Sequence, residues 1–250
     1  MRQILPVKRF AIFIAALLLL GPVEYSRGQI PGSSDAVNTA LLKLFGKNNN
    51  FTVRAEFTMF DATQQQLMSV AANMAVSDGR MRAEVDMATI KSKMISPEMI
   101  AQQKAAGLDR AISIMRPDKR KLYLIYPGLK AYAETPLPAA VAESSGQPPI
   151  LKKTAVGHQT SNGHPCIKNK VVLADEQGRQ QEIVDWEATD MKNFPVQVQL
   201  AENGVAILVR NSDVRFSKPD SKQFEPPPGY TRYDDVPTML AQAKSNRPVK

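Results

Sequence analysis

Phe51-Thr52-Val53-Arg54-Ala55-Glu56-Phe57-Thr58-Met59 alternates apolar and polar residues without a break. Two later stretches repeat the rhythm: Met68, Val70, Ala72, Met74 and Val76 fall on one side of the second, and Met81, Ala83, Val85 and Met87 stand against Arg80, Arg82, Glu84 and Asp86 in the third. A period of two is what a strand with one dry and one wet face requires, so these stretches predict the opening of an antiparallel meander. One face is rich in methionine. No catalytic motif accompanies it, so the pattern describes a sheet with something soft to cover or to hold.

Upstream of the meander, Ser34 or Asp35 can cap a short helix whose apolar residues Val37, Leu41, Leu44 and Phe45 recur at helical spacing, ended by Gly46 and the Asn48 to Asn50 run. Further back, Arg2, Lys8 and Arg9 precede an unbroken apolar run from Phe10 to Leu20, closed by Gly21 and Pro22. That run is shorter than the roughly 18 to 20 residues a membrane-spanning helix needs, and it reads as a secretory signal. Ser26 and Gly28 are spaced like the small residues before a cleavage site, which predicts a signal over 1–28 and one mature domain over 29–250. An uncleaved anchor is the alternative. No cysteine lies near the site, which disfavours a lipid anchor.

The formal net charge is +8. Arg2, Lys8, Arg9 and Arg27 against Glu24 supply +3 of it, leaving about +5 for the mature chain. That is mildly basic, and no aromatics interleave with the basic residues as a stacking platform for nucleic acid needs. Cys166 is the single cysteine, so no intrachain disulfide is available and the core alone holds the fold. The sequence contains no nucleophile elbow, paired-carboxylate motif or metal-spaced cluster, so neither an enzyme nor a cofactor is expected.

Downstream, Ser96, Pro97 and Gly107 bracket a second helix as cap, first-turn proline and terminal glycine, a candidate lid. Ala111 to Met115 and Lys121 to Tyr126 read as a hairpin around Pro117 and Asp118. Pro136 to Pro149 reads as a surface loop. Strands follow near Lys152 to Gly157, Cys166 to Asp175, Gln181 to Thr189, Val196 to Glu202, Val205 to Arg210 and Val214 to Phe216, with Asn162-Gly163 and Asn203-Gly204 as hairpin turns. Asp235 and Pro237 start a last helix over about 236–245.

The segment Gly157-His158-Gln159-Thr160-Ser161-Asn162-Gly163-His164-Pro165-Cys166, followed by Lys168 to Val172, resembles a recurrent stretch of LolA-like exported proteins. Trp186, Ala188, Thr189 and Asp190 leading into Phe194, Pro195 and Val196 support it. So do Phe216, Pro219 and Asp220, then Phe224, Pro226, Pro227, Gly229 and Tyr230, and upstream Arg116 to Lys119 with the Tyr123 to Tyr126 strand. The resemblance covers about 51–233. It implies a mainly antiparallel β fold, a curved, incomplete half-barrel with short helices over its concave apolar face. In the better-known relatives that face carries the acyl chains of a lipoprotein.

On this reading Val53, Phe57, Met59, Val70, Met74, Met81, Val85, Met87 and Trp186 line a ligand cavity, or else fill it themselves. Unbranched thioethers suit irregular apolar partners, but a methionine stripe also makes ordinary core. The expected partners are lipid or lipoprotein acyl chains, with peripheral contact to a membrane or membrane protein and no nucleic acid. The expected location is periplasmic or secreted. Arg116, Lys119, Arg120 and Lys121 form the densest basic cluster, either a solvated turn or a docking patch for an acidic surface. His158, His164 and Cys166 invite a metal or nucleophile reading. A two-residue turn at Asn162-Gly163 sets Gln159 opposite Cys166 and turns His158 to the other face, whereas a three-residue loop would gather all three. Asp190 is expected to accept backbone hydrogen bonds, and the aromatics flanking Pro226 to Pro228 to plug the barrel's end.

Overall fold

The computed structural model of the chain describes residues 44–45, 48–92, 95–137, 151–174, 180–202 and 205–245. The expected signal, most of the expected first helix, the 138–149 loop and the turns at 176–178 and 203–204 lie outside these. The elements are β1 (Asn50–Phe60), β2 (Gln66–Ser77), β3 (Arg80–Asp86), β4 (Lys91–Ser92), α1 (Pro97–Ala105), β5 (Arg110–Arg116), β6 (Lys121–Tyr126), β7 (Ala131–Pro136), β8 (Leu151–Ser161), β9 (His164–Ala174), β10 (Gln180–Ala188), β11 (Phe194–Glu202), β12 (Val205–Arg215), β13 (Thr231–Tyr233) and α2 (Val236–Ser245). All strands join one sheet in the order β13-β7-β6-β5-β3-β2-β1-β12-β11-β10-β9-β8, with β4 beside β2. Every pairing is antiparallel except β13 on β7. The sheet is an open, incomplete barrel with β13 and β8 at its ends.

The period-two reading of the first three strands fixes their registers. Val53 faces Met74, Ala55 faces Ala72, Phe57 faces Val70 and Met59 faces Met68 across β1 and β2. Met74, Ala72 and Val76 in turn face Ala83, Val85 and Met81 across β2 and β3. Directly opposite residues share a sheet face, so all these side chains stand on the concave side. A turn at Asp78-Gly79, both at positive φ (50° and 81°), joins β2 to β3. That is the geometry a two-residue hairpin of this composition adopts.

The sheet is curled. Asn162, at the β8–β9 turn, donates through Nδ2 to the Val196 carbonyl at 2.8 Å and to that of Asn211 at 3.5 Å. In a flat sheet β9 would lie two and three strand spacings of about 4.8 Å from β11 and β12. Register shifts assist the bend, between Ala155 and Gly157, between Trp186 and Glu187, and between Thr52 and Arg54. The last of these corrects the sequence reading, which split 205–216 into two strands. Asn211, Ser212 and Asp213 look like a turn, but they belong to a continuous β12 that bulges there, with Asp213 at φ 53°.

The central strand β5 is buried from Ala111 through Arg116, on both faces. Ala111, Ser113 and Met115 look inward. Ile112 and Ile114 join Ala75, Tyr123, Ile125 and Phe224 in a second cluster on the convex side. Phe224 ends a 3-10 turn over Ser221–Phe224 and has no accessible surface. The tail therefore does not plug the barrel's end as the sequence suggested. It lies across the outside, because β5 and β6 carry apolar residues in consecutive positions and need a cover on each face.

Helices cover the concave side only in part. Met239 of α2 is fully buried in the cluster that holds Met59, Val70, Val85 and Met87, and Leu44 and Phe45 bury into its neighbours. The expected lid, α1, starts as read, with Ser96 Oγ accepting from the Met99 amide at 3.3 Å. It buries none of its residues. Pro97–Ala105 offers only Met99 and Ile100 as bulky apolar groups, too narrow a stripe to cover a sheet.

Its end is nevertheless fixed. Gly107 (φ 67°) lies so close to Gly128 that a Cβ on Gly128 would come within 2.5 Å of the Gly107 carbonyl oxygen. Both neighbours are backbone and neither can swing aside. Gly128→Ala is expected to cost about 1–3 kcal/mol in urea unfolding through overpacking. A change under about 0.5 kcal/mol would mean that the two turns separate freely.

Candidate functional site

The concave face is a set of side-chain rows running across the strands. Of the nine residues predicted to line it, Met59, Val70, Val85 and Met87 are buried together in one apolar cluster, and Val53, Met81 and Trp186 in a second. Phe57 and Met74 are the two that stay partly exposed. Phe57 packs against the first and third clusters, and Met74 against all three. Between them the floor is made of small side chains, Ala55 opposite Ala72. Eight of the nine thus share the concave wall, and its centre is where solvent reaches it. Trp186 stands opposite Gln197, one position from the Asp185 row, and joins the second cluster beside the register shift between Trp186 and Glu187.

One row changes character along its length. Val70, Phe57, Val209 and Val198 stand opposite one another in successive strands, and the next two positions are Asp185 and Asn169. The Asp185 side chain is 0% exposed. Asn169 Nδ2 donates to its Oδ1 at 2.8 Å, while Oδ2 has no hydrogen-bond partner and lies 3.8 Å from Lys153 Nζ. Lys153 also pairs with Glu187. Burial pushes the Asp185 carboxyl up to about 6, against the pull of Asn169 and Lys153. Sequence reasoning missed this group, since Ile183, Val184, Asp185 and Trp186 show no period that marks a face.

The Asn162-Gly163 turn has two residues, with φ of 51° and 81°. Gln159 faces Cys166 and Ser161 faces His164, as the shorter-turn reading requires, and His158 pairs with Ile167. The three conspicuous residues do not converge. Cys166 is buried, its Sγ 3.3 Å from the His164 carbonyl, and burial pushes its thiol up, away from the thiolate a nucleophile needs. Asp190 lies 2.9 Å from His164 Nδ1, so its partner is a ring and not the turn's backbone. Trp186 carries the Lys168 ammonium over its ring at 5.1 Å. Among the described residues no three His, Cys, Asp or Glu side chains lie together as metal ligands, and no helix is long and apolar enough to cross a membrane.

The basic cluster differs most from its sequence reading. Arg116 is buried, with its guanidinium on Asp118 at 2.7 Å, on the Phe224 carbonyl at 3.1 Å and on Glu225. Lys119 pairs with the same Glu225 at 2.8 Å, and Lys121 with Glu134 at 2.7 Å. Of the four, Arg120 alone has no ion-pair partner among the described residues. The cluster is in part a clamp on the tail, through Arg116 and Lys119 on Glu225, with Lys121 held by Glu134 and Arg120 left exposed at the turn. Its logic was legible: Arg116 has the parity of Ile112 and Ile114, so alternation points it at the convex cluster.

No protein-family model matches the chain, and no curated protein does. Among solved structures it is similar to a LolA superfamily protein of Nitrosomonas europaea, at 7% identity over 76% of this chain and 96% of that one, with a TM-score of 0.37. It is similar also to the lipoprotein LppX of Mycobacterium tuberculosis, at 9% identity over 72% and 96% with a TM-score of 0.39. LprF of Mycobacterium bovis matches at 13% identity over 76% and 99%, again with a TM-score of 0.39. These likenesses are to LolA-like and mycobacterial lipoprotein structures, and at these scores no argument rests on them.

Proposed function

We propose that the protein is an exported, non-enzymatic carrier of LolA-like type, which holds a lipid or acyl chain against its concave face. The observation that carries this reading is the partial exposure of Phe57 and Met74 at the meeting point of three apolar clusters, over an alanine floor. An apolar centre left open to solvent is what an apolar guest would close. Each methylene of an acyl chain buried there gains about 0.8 kcal/mol. The apolar run from Phe10 to Leu20 supports export to the periplasm or beyond.

The burial of the other seven residues predicted to line the wall favours a second reading, a protein-contact module whose concave side is filled by its own side chains. Native mass spectrometry of the purified mature protein, with titration of a fluorescent fatty acid, separates the two. The carrier reading expects co-purifying lipid and saturable binding. It also expects Phe57→Asp and Met74→Glu each to weaken binding at least tenfold, at a cost of about 1–3 kcal/mol in urea unfolding for the packing lost, which leaves the protein folded. A wild-type protein with neither bound lipid nor affinity for the probe is not a carrier.

A further inference from the structure

The convex side of the sheet carries a cleft of about 480 Å³, within the roughly 300–1,000 Å³ of ordinary small-molecule sites. Its floor is the polar face of β1, β2 and β12, with Arg54, Glu56, Ser69, Arg210 and Ser212. A convex sheet face has no hollow of its own. Here one wall is raised by Ala88, Thr89 and Lys91 in the connection after β3, and the opposite one by Asn162 at the folded-back β8–β9 tip. The tip is tied down by Asn162 Nδ2 on the Val196 carbonyl at 2.8 Å and by Ser161 Oγ on Gln197 at 3.3 Å.

The donors in this cleft divide into committed and free. Ser69 Oγ donates to Glu56 at 2.9 Å, Thr89 Oγ1 to the Asp86 carbonyl at 2.7 Å, and Ser212 Oγ to the Arg54 carbonyl at 3.4 Å. The side chains of Arg54, Lys91 and Arg210, by contrast, have no ion-pair or hydrogen-bond partner among the described residues. Arg80, Arg82, Arg110, Arg116 and Arg232 each have a carboxylate. Three unpaired cations face one carboxylate, so the lining carries a net +2. Two guanidinium forks and an ammonium supply donors only, the groups that pair with phosphate oxygens.

We infer that this cleft binds a doubly charged phosphate, a phosphomonoester. A carboxylate or a phosphodiester, with one negative charge, would leave the lining unbalanced. The sheet separates the cleft from the concave wall, so its ligand is distinct from an apolar guest there. Free solutes and lipid headgroups both present a phosphomonoester, and the experiment distinguishes these sources.

The test titrates glycerol 3-phosphate and glucose 6-phosphate into the mature protein by calorimetry at low salt. In parallel, vesicles of phosphatidylcholine with phosphatidic acid are sedimented with the protein, beside vesicles with phosphatidylglycerol. Binding of the soluble phosphates points to a free solute. Binding of phosphatidic acid vesicles alone, over phosphatidylglycerol at equal charge density, points to a headgroup. In either case the Arg54→Ala/Arg210→Ala double variant is expected to lose at least tenfold in affinity and Lys91→Ala severalfold. A Lys119→Ala/Arg120→Ala control, away from the cleft, is expected to change it less than twofold. All five side chains are exposed, and an unchanged far-UV spectrum confirms folding. The inference is overturned if neither form of phosphate binds, if phosphatidylglycerol competes equally, or if the control loses as much as the double variant.

Discussion

Phe224→Ala is expected to lower the unfolding free energy by about 3–5 kcal/mol, the range for deleting a fully buried aromatic ring. The ring has no accessible surface and sits among Ile112, Ile114, Tyr123 and Ile125. The Arg80 guanidinium lies 5.0 Å from its centroid. Truncation uncovers the outer face of β5 and β6, and it also loosens the carbonyl that Arg116 holds at 3.1 Å. The two sites are therefore expected to be coupled: with Arg116→Met the double variant should fall short of the sum of the single losses by 0.5 kcal/mol or more. Glu225→Ala should cost under about 1 kcal/mol, because that carboxylate is 42% exposed and such pairs are screened. Urea unfolding of the wild type and the four variants decides the matter. A loss under about 1 kcal/mol for Phe224→Ala would mean that the tail is an ornament and the sheet stands without its outer cover.

The second large effect is in the pH dependence of stability. The Asp185 carboxyl is raised from 3.8 to about 6 by burial. Between those two values the folded protein binds a proton that the unfolded chain does not, so stability is greatest below about pH 3.8 on this account. It is lost as pH rises toward 6 and is flat above. The difference corresponds to about 3 kcal/mol at 1.36 kcal/mol per unit. Asp185→Asn removes that slope while keeping an oxygen for the Asn169 amide. The variant's advantage over the wild type is therefore expected to grow by up to about 3 kcal/mol between pH 4 and pH 7.5, read from urea midpoints at both. A constant difference across that range would show that Lys153, 3.8 Å away, fully compensates the buried charge.

The parts of this fold that were legible in the sequence are those where one face is dry and the other wet. Phe51 to Met59 and Met68 to Val76 alternate, and alternation fixes both strand type and facing. The Asn162-Gly163 dipeptide fixed a register and kept His158 apart from Cys166. Asp78-Gly79 carried the same signal between β2 and β3, though the sequence reading passed over it. Where both faces are covered, alternation vanishes. Arg110–Arg116 and Gln180–Ala188 read as strands, yet nothing in them told that Phe224 would lie over one and that Asp185 would be sealed in the other. The convex cleft was illegible for a different reason. Arg54, Lys91, Asn162 and Arg210 are far apart in the chain, and only the curl of the sheet and the folded-back β8–β9 tip set them around one space.

The strand order also dictates when the molecule can come together. β1 near the start of the domain is flanked by β2 on one side and by β12 on the other, with Thr52 set against Arg215. β7 waits for β13, and β5 for Phe224. Closing such distant pairs costs chain entropy before any contact repays it, which makes for a slow folder of high contact order. A chain cut before Val205 has β1 with a bare edge and β5 with a bare face, and so has no complete native state to occupy. The polypeptide thus remains an open thread until β12 and the Phe224 segment are present, the form in which a chain passes most readily through a narrow pore.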